Sequence, residues 1–238
     1  MKGETYCVGV PYVNQISQWS AFALATQGEF LCDTIIFFCA CYFCQDHECN
    51  VTVIDPILLS ESVRPDMLLQ IGVRNRYLEC LHARRQTLVF PMNVPRNIHW
   101  MVVFVWMSDN GKLQVQCRNS MRRYSCHENR CCERVRVYIT SLYKQKENVC
   151  HIFPGFKRTQ PAIWTEQTPN VHACGLHVLS HIYLASQGLH HTHTFDNVFV
   201  EYLRKYCLQL LFQYRRGRHT TTITTVDVTM DNARFKLD

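Results

Sequence analysis

The chain has 238 residues, 47% of them hydrophobic, and 25 Lys and Arg against 19 Asp and Glu, a net charge of +6. That length is enough to bury one substantial core, as one domain or else two, and there is no internal repeat and no Pro/Gly/Ser linker. The longest apolar runs fall well short of the ~20 residues of a membrane span, and 14 cysteines without a signal peptide in MKGETYCVGV point to a reduced, intracellular setting (cytoplasm or nucleus) rather than a disulfide framework.

Residues 1–29 read as a lead-in with one short apolar element. A helix follows over 30–45, and its stretch from Thr34 to Gln45 is a buried segment in which cysteines act as small hydrophobes. Cys39, Cys41, Cys44, His47 and Cys49 have the chemistry of zinc ligands, as do Cys126, His127, Cys131 and Cys132, but neither set has the paired CxxC spacing of a zinc ribbon, so no metal is assigned. Residues 51–90 mix elements, and 86–119 hold two or three strands. Within them His99 opens HWMVVFVWM, Asp109-Asn110-Gly111 marks a hairpin turn, and KLQVQC returns with alternating polarity. Residues 134–153 read as further strands. Thr168-Pro169-Asn170 forms a turn, and apolar spacing at 176, 178, 179, 182, 183 and 184 gives a helix starting beside Cys174. A second helix over 197–214 ends at Arg215-Arg216-Gly217. The Thr-rich residues 219–238 have no core to join and read as an exposed strand or disordered tail.

Acyl transfer from a thiol needs a base, an orienting group for that base and a donor for the oxyanion. A thiol near pKa ~8.5 is mostly protonated at neutral pH, and an imidazole together with a helix N-terminus favours the thiolate. Cys174 sits at such a start. His99 lies at a strand end, and Asn119 follows the return strand, close to where His99 began, so its carbonyl can accept from the imidazole. The turn at 168–170 lets the Gln167 amide point back toward the sulfur. Taken singly, each has a plainer explanation: a core cysteine, a strand-end histidine, a turn asparagine and a surface glutamine.

In combination and order they resemble the ubiquitin-like-protein proteases of the Ulp/SENP family and the related adenovirus endopeptidase. FLCDTII at 30–36 is similar to the family's W-L-x-D-x-x-I opening, and VFPMNVPRNIHW at 89–100 to its strand leading to His-Trp. CRNSM at 117–121 stands where the family has its Asp-Ser segment. QTPNVHACGL follows the adenovirus form Q-x-P-N-x-x-A-C-G-L. The resemblance implies an α+β papain-like fold with a central mixed sheet flanked by helices, and a peptidase domain over 30–218. It implies Cys174 as nucleophile, His99 as base, Asn119 as orienter and Gln167 as oxyanion donor, with Phe30, Asp33 and Trp100 on the substrate side. Phe30 and Trp100 would be the aromatic pair that clamps a Gly-Gly tail. Three positions depart from the family: Asn119 where it has an acid, Ala173 where SUMO-type enzymes have Asp, and Phe30 where it has the opening Trp. A Cys-His-Asn set is still workable, as papain-like enzymes use one.

The reaction implied is cleavage after glycine in a ubiquitin-like modifier conjugate or precursor, or in a viral or mobile-element polyprotein. An inactive modifier-binding module of the same fold and a Cys-His acyltransferase are the alternatives. No cofactor is expected. Arginines at 118, 122, 123, 130, 134 and 136, and again at 215, 216 and 218, offer basic patches for nucleic acid or an acidic protein face.

Overall fold

The computed structural model describes residues 18–26, 29–45, 49–59, 71–82, 86–94, 99–121, 125–144, 155–159, 172–189 and 195–215. In chain order these form α1 (Gln18–Ala25), α2 (Asp33–Phe43), β1 (Val51–Val53), a 3₁₀ turn (Pro56–Leu59), α3 (Ile71–His82), β2 (Thr87–Val94), β3 (His99–Met107), β4 (Leu113–Arg118), α4 (Ser125–Lys144), β5 (Phe156–Arg158), α5 (Cys174–Ser186) and α6 (Asn197–Arg215). The Thr-rich tail and Gln167 lie outside the described residues.

The five strands make one sheet in the order β1-β2-β3-β4-β5. Its outer pairs are parallel and its two central pairs antiparallel. β3 is buried from His99 through Val105, because helices cover both faces of the sheet and neither set of alternating side chains meets water. Trp100, Val102 and Phe104 belong to the core under α2, α5 and α6. Met101, Val103 and Val105 belong to the opposite core, under α3 and α4.

Between β3 and β4 the chain turns where Asp-Asn-Gly predicts. Ser108 N–H donates to Lys112 O at 2.9 Å and Gly111 N–H to Ser108 O at 2.9 Å. Gly111 holds φ +74°, which a residue without Cβ adopts at no steric cost. The helices expected over 30–45, from 174 and over 197–214 are present as α2, α5 and α6.

Strands are expected over 134–153; the described part of that segment, 134–144, is not strand, and 145–153 lie outside the described residues. Residues 134–144 belong to α4, a 20-residue helix. The alternation in Val135-Arg-Val-Tyr-Ile suits a strand, but the buried positions among those described are Glu128, Cys131, Cys132, Val135, Tyr138, Ile139, Leu142 and Tyr143. That is the i, i+3, i+4 stripe of a helix laid on a sheet, and Val137, in the middle of the apparent strand, faces solvent. Cys131 and Cys132 lie on that stripe as small hydrophobes. Among the described residues no three His, Cys, Asp or Glu side chains converge on a metal position, and no helix is long and apolar enough to cross a membrane. His47 lies outside the described residues, as does the side chain of Cys126.

Candidate active site

β3 and β4 pair with Val102 opposite Arg118. Asn119, the first residue past β4, is therefore carried back beside the start of β3. There His99 Nε2 and Asn119 Oδ1 are 2.8 Å apart. The carbonyl oxygen can only accept, so Nε2 is the protonated ring nitrogen and Nδ1 the basic one. Both residues are buried, at 1% and 3% exposure. Asn119 Oδ1 also accepts from Met121 N–H at 2.9 Å, and its Nδ2 donates to Glu128 Oε1 at 3.2 Å. Arg158 on β5 in turn holds Glu128 Oε2 at 3.4 Å.

Cys174 is the first residue of α5, which packs across β3. Burial pushes its thiol up from the ordinary value, while backbone N–H groups of Trp100, Gly175 and Cys174 itself pull the other way. The Trp100 contribution sets the sulfur against the backbone beside His99. The net direction is upward, so burial disfavours the free thiolate.

Gly175 explains the closeness of the packing. A Cβ there would lie 3.0 Å from Leu31 Cβ and 3.2 Å from Ile36 Cδ1, so α5 approaches α2 closely only with glycine at that position. Leu31 O also accepts from Trp100 Nε1 at 2.8 Å. One residue thus joins the lead-in to α2, the start of β3 and the start of α5. Trp100 is buried in the core, whereas Phe30 is half-buried with its ring tilted against His172 at 4.2 Å between centroids. Asp33, at the start of α2, is exposed and accepts from Thr34 N–H at 2.9 Å.

A second tie holds α5 to the sheet. Arg118, 7% exposed, donates from Nη1 toward His181 Nδ1 at 3.2 Å and stacks 5.1 Å from the Phe104 ring centroid. Arg118 is therefore an internal strut, and the expected basic surface patch loses it. Burial lowers its pKa to about 10. His181 is pushed well below the ordinary imidazole value by burial, then by Arg118 and His177. His177, one turn after Cys174, is lowered to about 4 by burial and then by His99. Neither of its ring nitrogens has a hydrogen-bond partner among the described residues.

Of the residues expected at the site, His99, Asn119, Cys174 and Trp100 come together, with Phe30 and Asp33 at the adjoining α2 edge. Arg158 and the Arg118–His181 pair have no counterpart in the sequence reading, and Glu128, which the sequence offers beside Asp109 as another orienter for His99, stands one hydrogen bond behind Asn119. Glu128 carried a signal in the sequence, a lone acid on the apolar stripe of α4, which only a helical reading of that segment reveals.

The model of the Ulp1 protease family, C-terminal catalytic domain, matches residues 74–217. The chain belongs to that family. As a Ulp1-family chain it is a cysteine protease, and the matched span contains His99, Asn119, Glu128 and Cys174. The fold agrees with solved structures. The SUMO protease Ulp1 with its catalytic cysteine oxidized to a sulfinic acid superposes with a TM-score of 0.58 at 16% identity, covering 82% of this chain and 83% of that one. The C-terminal Ulp1 protease domain in complex with Smt3, the yeast ortholog of SUMO, gives 0.54 at 15% identity, covering 82% and 81%. A de-sumoylating protease gives 0.52 at 12% identity, covering 84% and 79%. No curated protein sequence matches the chain significantly.

Proposed function

We propose that this Ulp1-family protease cleaves after glycine at the C-terminal tail of a ubiquitin-like modifier, through a thioester on Cys174. The observation that carries the reading is the 2.8 Å His99–Asn119 hydrogen bond beside the helix start that bears Cys174. A protease solved with Smt3 bound supports a modifier as the substrate class.

In this reading the Cys174 S–H proton passes to His99 Nδ1, and the sulfur attacks the carbonyl carbon of the glycine. The carbonyl π pair moves onto oxygen, where the Cys174 N–H and the Gln167 amide stabilise it. Collapse breaks the C–N bond, and the leaving amine takes the proton from His99. Water then attacks the thioester, with His99 accepting its proton and returning one to the departing thiol. Half-buried Phe30 lines the approach of the small tail with Asp33 at its rim, while Trp100, buried in the core, backs the site through Leu31 instead of forming the second half of an aromatic clamp.

SUMO and ubiquitin carrying a C-terminal vinyl sulfone test this directly. The expected result is a covalent adduct with at least one probe that Cys174→Ala abolishes. Probe binding without an adduct would indicate a modifier-binding module, and no interaction with either probe would turn attention to a polyprotein substrate.

A further inference from the structure

An asparagine amide can sit either way round, and here only one way is useful. Oδ1 accepts from both His99 Nε2 and Met121 N–H, while Nδ2 donates to Glu128 Oε1. A flip would set the amide NH₂ against the Met121 N–H and the carbonyl oxygen against a carboxylate. Glu128 therefore fixes the amide, the amide fixes the His99 tautomer, and Nδ1 is kept free of a proton. Glu128 is 5% exposed, and a carboxylate at such a depth is costly unless it is paired. It is paired with Arg158, whose side chain keeps 36% exposure and water contact.

We propose that Glu128 is a positioning residue of the thiol site, supplying through the Asn119 amide the negative charge that steadies the His99 imidazolium. The acid is thus moved one hydrogen bond back from the histidine. This rests on the roles given above to His99, Asn119 and Cys174. Among the described residues, the titratable groups that interact with Glu128 include Arg158 from β5, Cys117 from β4, and Cys131 and Cys132 from α4. Of these, only Arg158 pairs with it as a cation.

The arrangement predicts a reversal that a plain structural anchor does not. Asn119→Asp places two carboxylates at hydrogen-bond distance, where they cannot both ionise readily. Removing the charge behind it, in Asn119→Asp with Glu128→Gln, restores a single carboxylate, now in direct contact with His99.

The test compares wild type, Glu128→Gln, Asn119→Asp and the double variant by the pH dependence of thiolate absorbance. Each is differenced against the same protein carrying Cys174→Ser, so no substrate is required. Glu128→Gln is expected to move thiolate formation about one pH unit upward, roughly a tenfold loss on the acid limb. Turnover of a modifier amide should fall with it while KM holds. Asn119→Asp alone should also lose thiolate near neutrality, and the double variant should regain the wild-type curve or better. Circular dichroism checks that each variant is folded. An unchanged acid limb in folded Glu128→Gln, or Asn119→Asp performing as well as the double variant, overturns the proposal. The expected thiolate curves without cleavage of any modifier would instead overturn the substrate reading and leave Glu128 in its role.

Discussion

At the scale of single residues, the proposed mechanism pairs a thiol raised by burial with an imidazole whose tautomer is set from behind. Cys174→Ala should therefore abolish turnover and His99→Ala nearly so. Asn119→Ala should lower turnover by about ten- to a thousandfold, because an unoriented imidazole still accepts a proton in some fraction of encounters. Steady-state rates on a modifier amide check the order. His177 makes a separate prediction about acid. Its folded-state pKa, about 4, lies below the value of 6.5 for an unperturbed imidazole. Between those values the unfolded chain binds the extra proton, so stability is full above about pH 6.5 and falls as pH drops toward 4. The loss across that window is on the order of 3 kcal/mol for His177, and His181 adds to it in the same direction. His177→Phe, whose ring keeps the contact with Phe195, should flatten the decline. Urea midpoints measured at neutral and mildly acid pH would show it, and an equal decline in both proteins would mean that other groups govern acid unfolding.

At the scale of elements, the placement of α5 decides whether a thiol meets a base at all. Gly175 lets the helix start lie against Leu31, and Arg118 pins the helix one turn and more further on through His181. Gly175→Ala gains helix propensity, yet its added Cβ would lie 3.0 Å from Leu31 Cβ and 3.2 Å from Ile36 Cδ1 and must push them away. We expect a net destabilisation of about 1–3 kcal/mol, visible as a melting point lower by several degrees, and a loss of turnover larger than the stability change explains. Unaltered turnover would show that the start of α5 tolerates a shift. Arg118→Met removes the charge but keeps the stem, leaving His181 Nδ1 unpaired at full burial. That should destabilise the fold by about 1–3 kcal/mol.

At the scale of the whole molecule, β3 contributes alternate side chains to both cores. Neither helical layer can leave without exposing a face of the same strand. Phe90, set edge-on to Tyr138 with centroids 5.9 Å apart, belongs to the layer away from Cys174. Phe90→Ala should cost about 3–5 kcal/mol through the cavity it opens. Even so, far- and near-ultraviolet circular dichroism should record one coincident transition. Two separated transitions would mean that the layers unfold independently.

Several features were legible in the chain itself because their causes are local. A run of apolar residues doubly covered by helices needs no alternation, so β3 could be read from HWMVVFVWM. Asp-Asn-Gly needs a left-handed position, so the hairpin could be read too, and with it the meeting of His99 and Asn119 across one turn. The start of α5 at Cys174 follows from its apolar spacing. What the tertiary structure alone decided are properties of packing between distant segments. Val-Arg-Val-Tyr-Ile alternates like a strand, yet it is a helix because Cys131, Val135, Tyr138 and Leu142 find the sheet at helical spacing. Arg118 looks like a surface cation, yet it is internal because Phe104 and His181 arrive from β3 and α5. Glu128 faces Asn119 only because α4 crosses the end of β4, a contact over nine residues of chain that no periodicity within either element encodes.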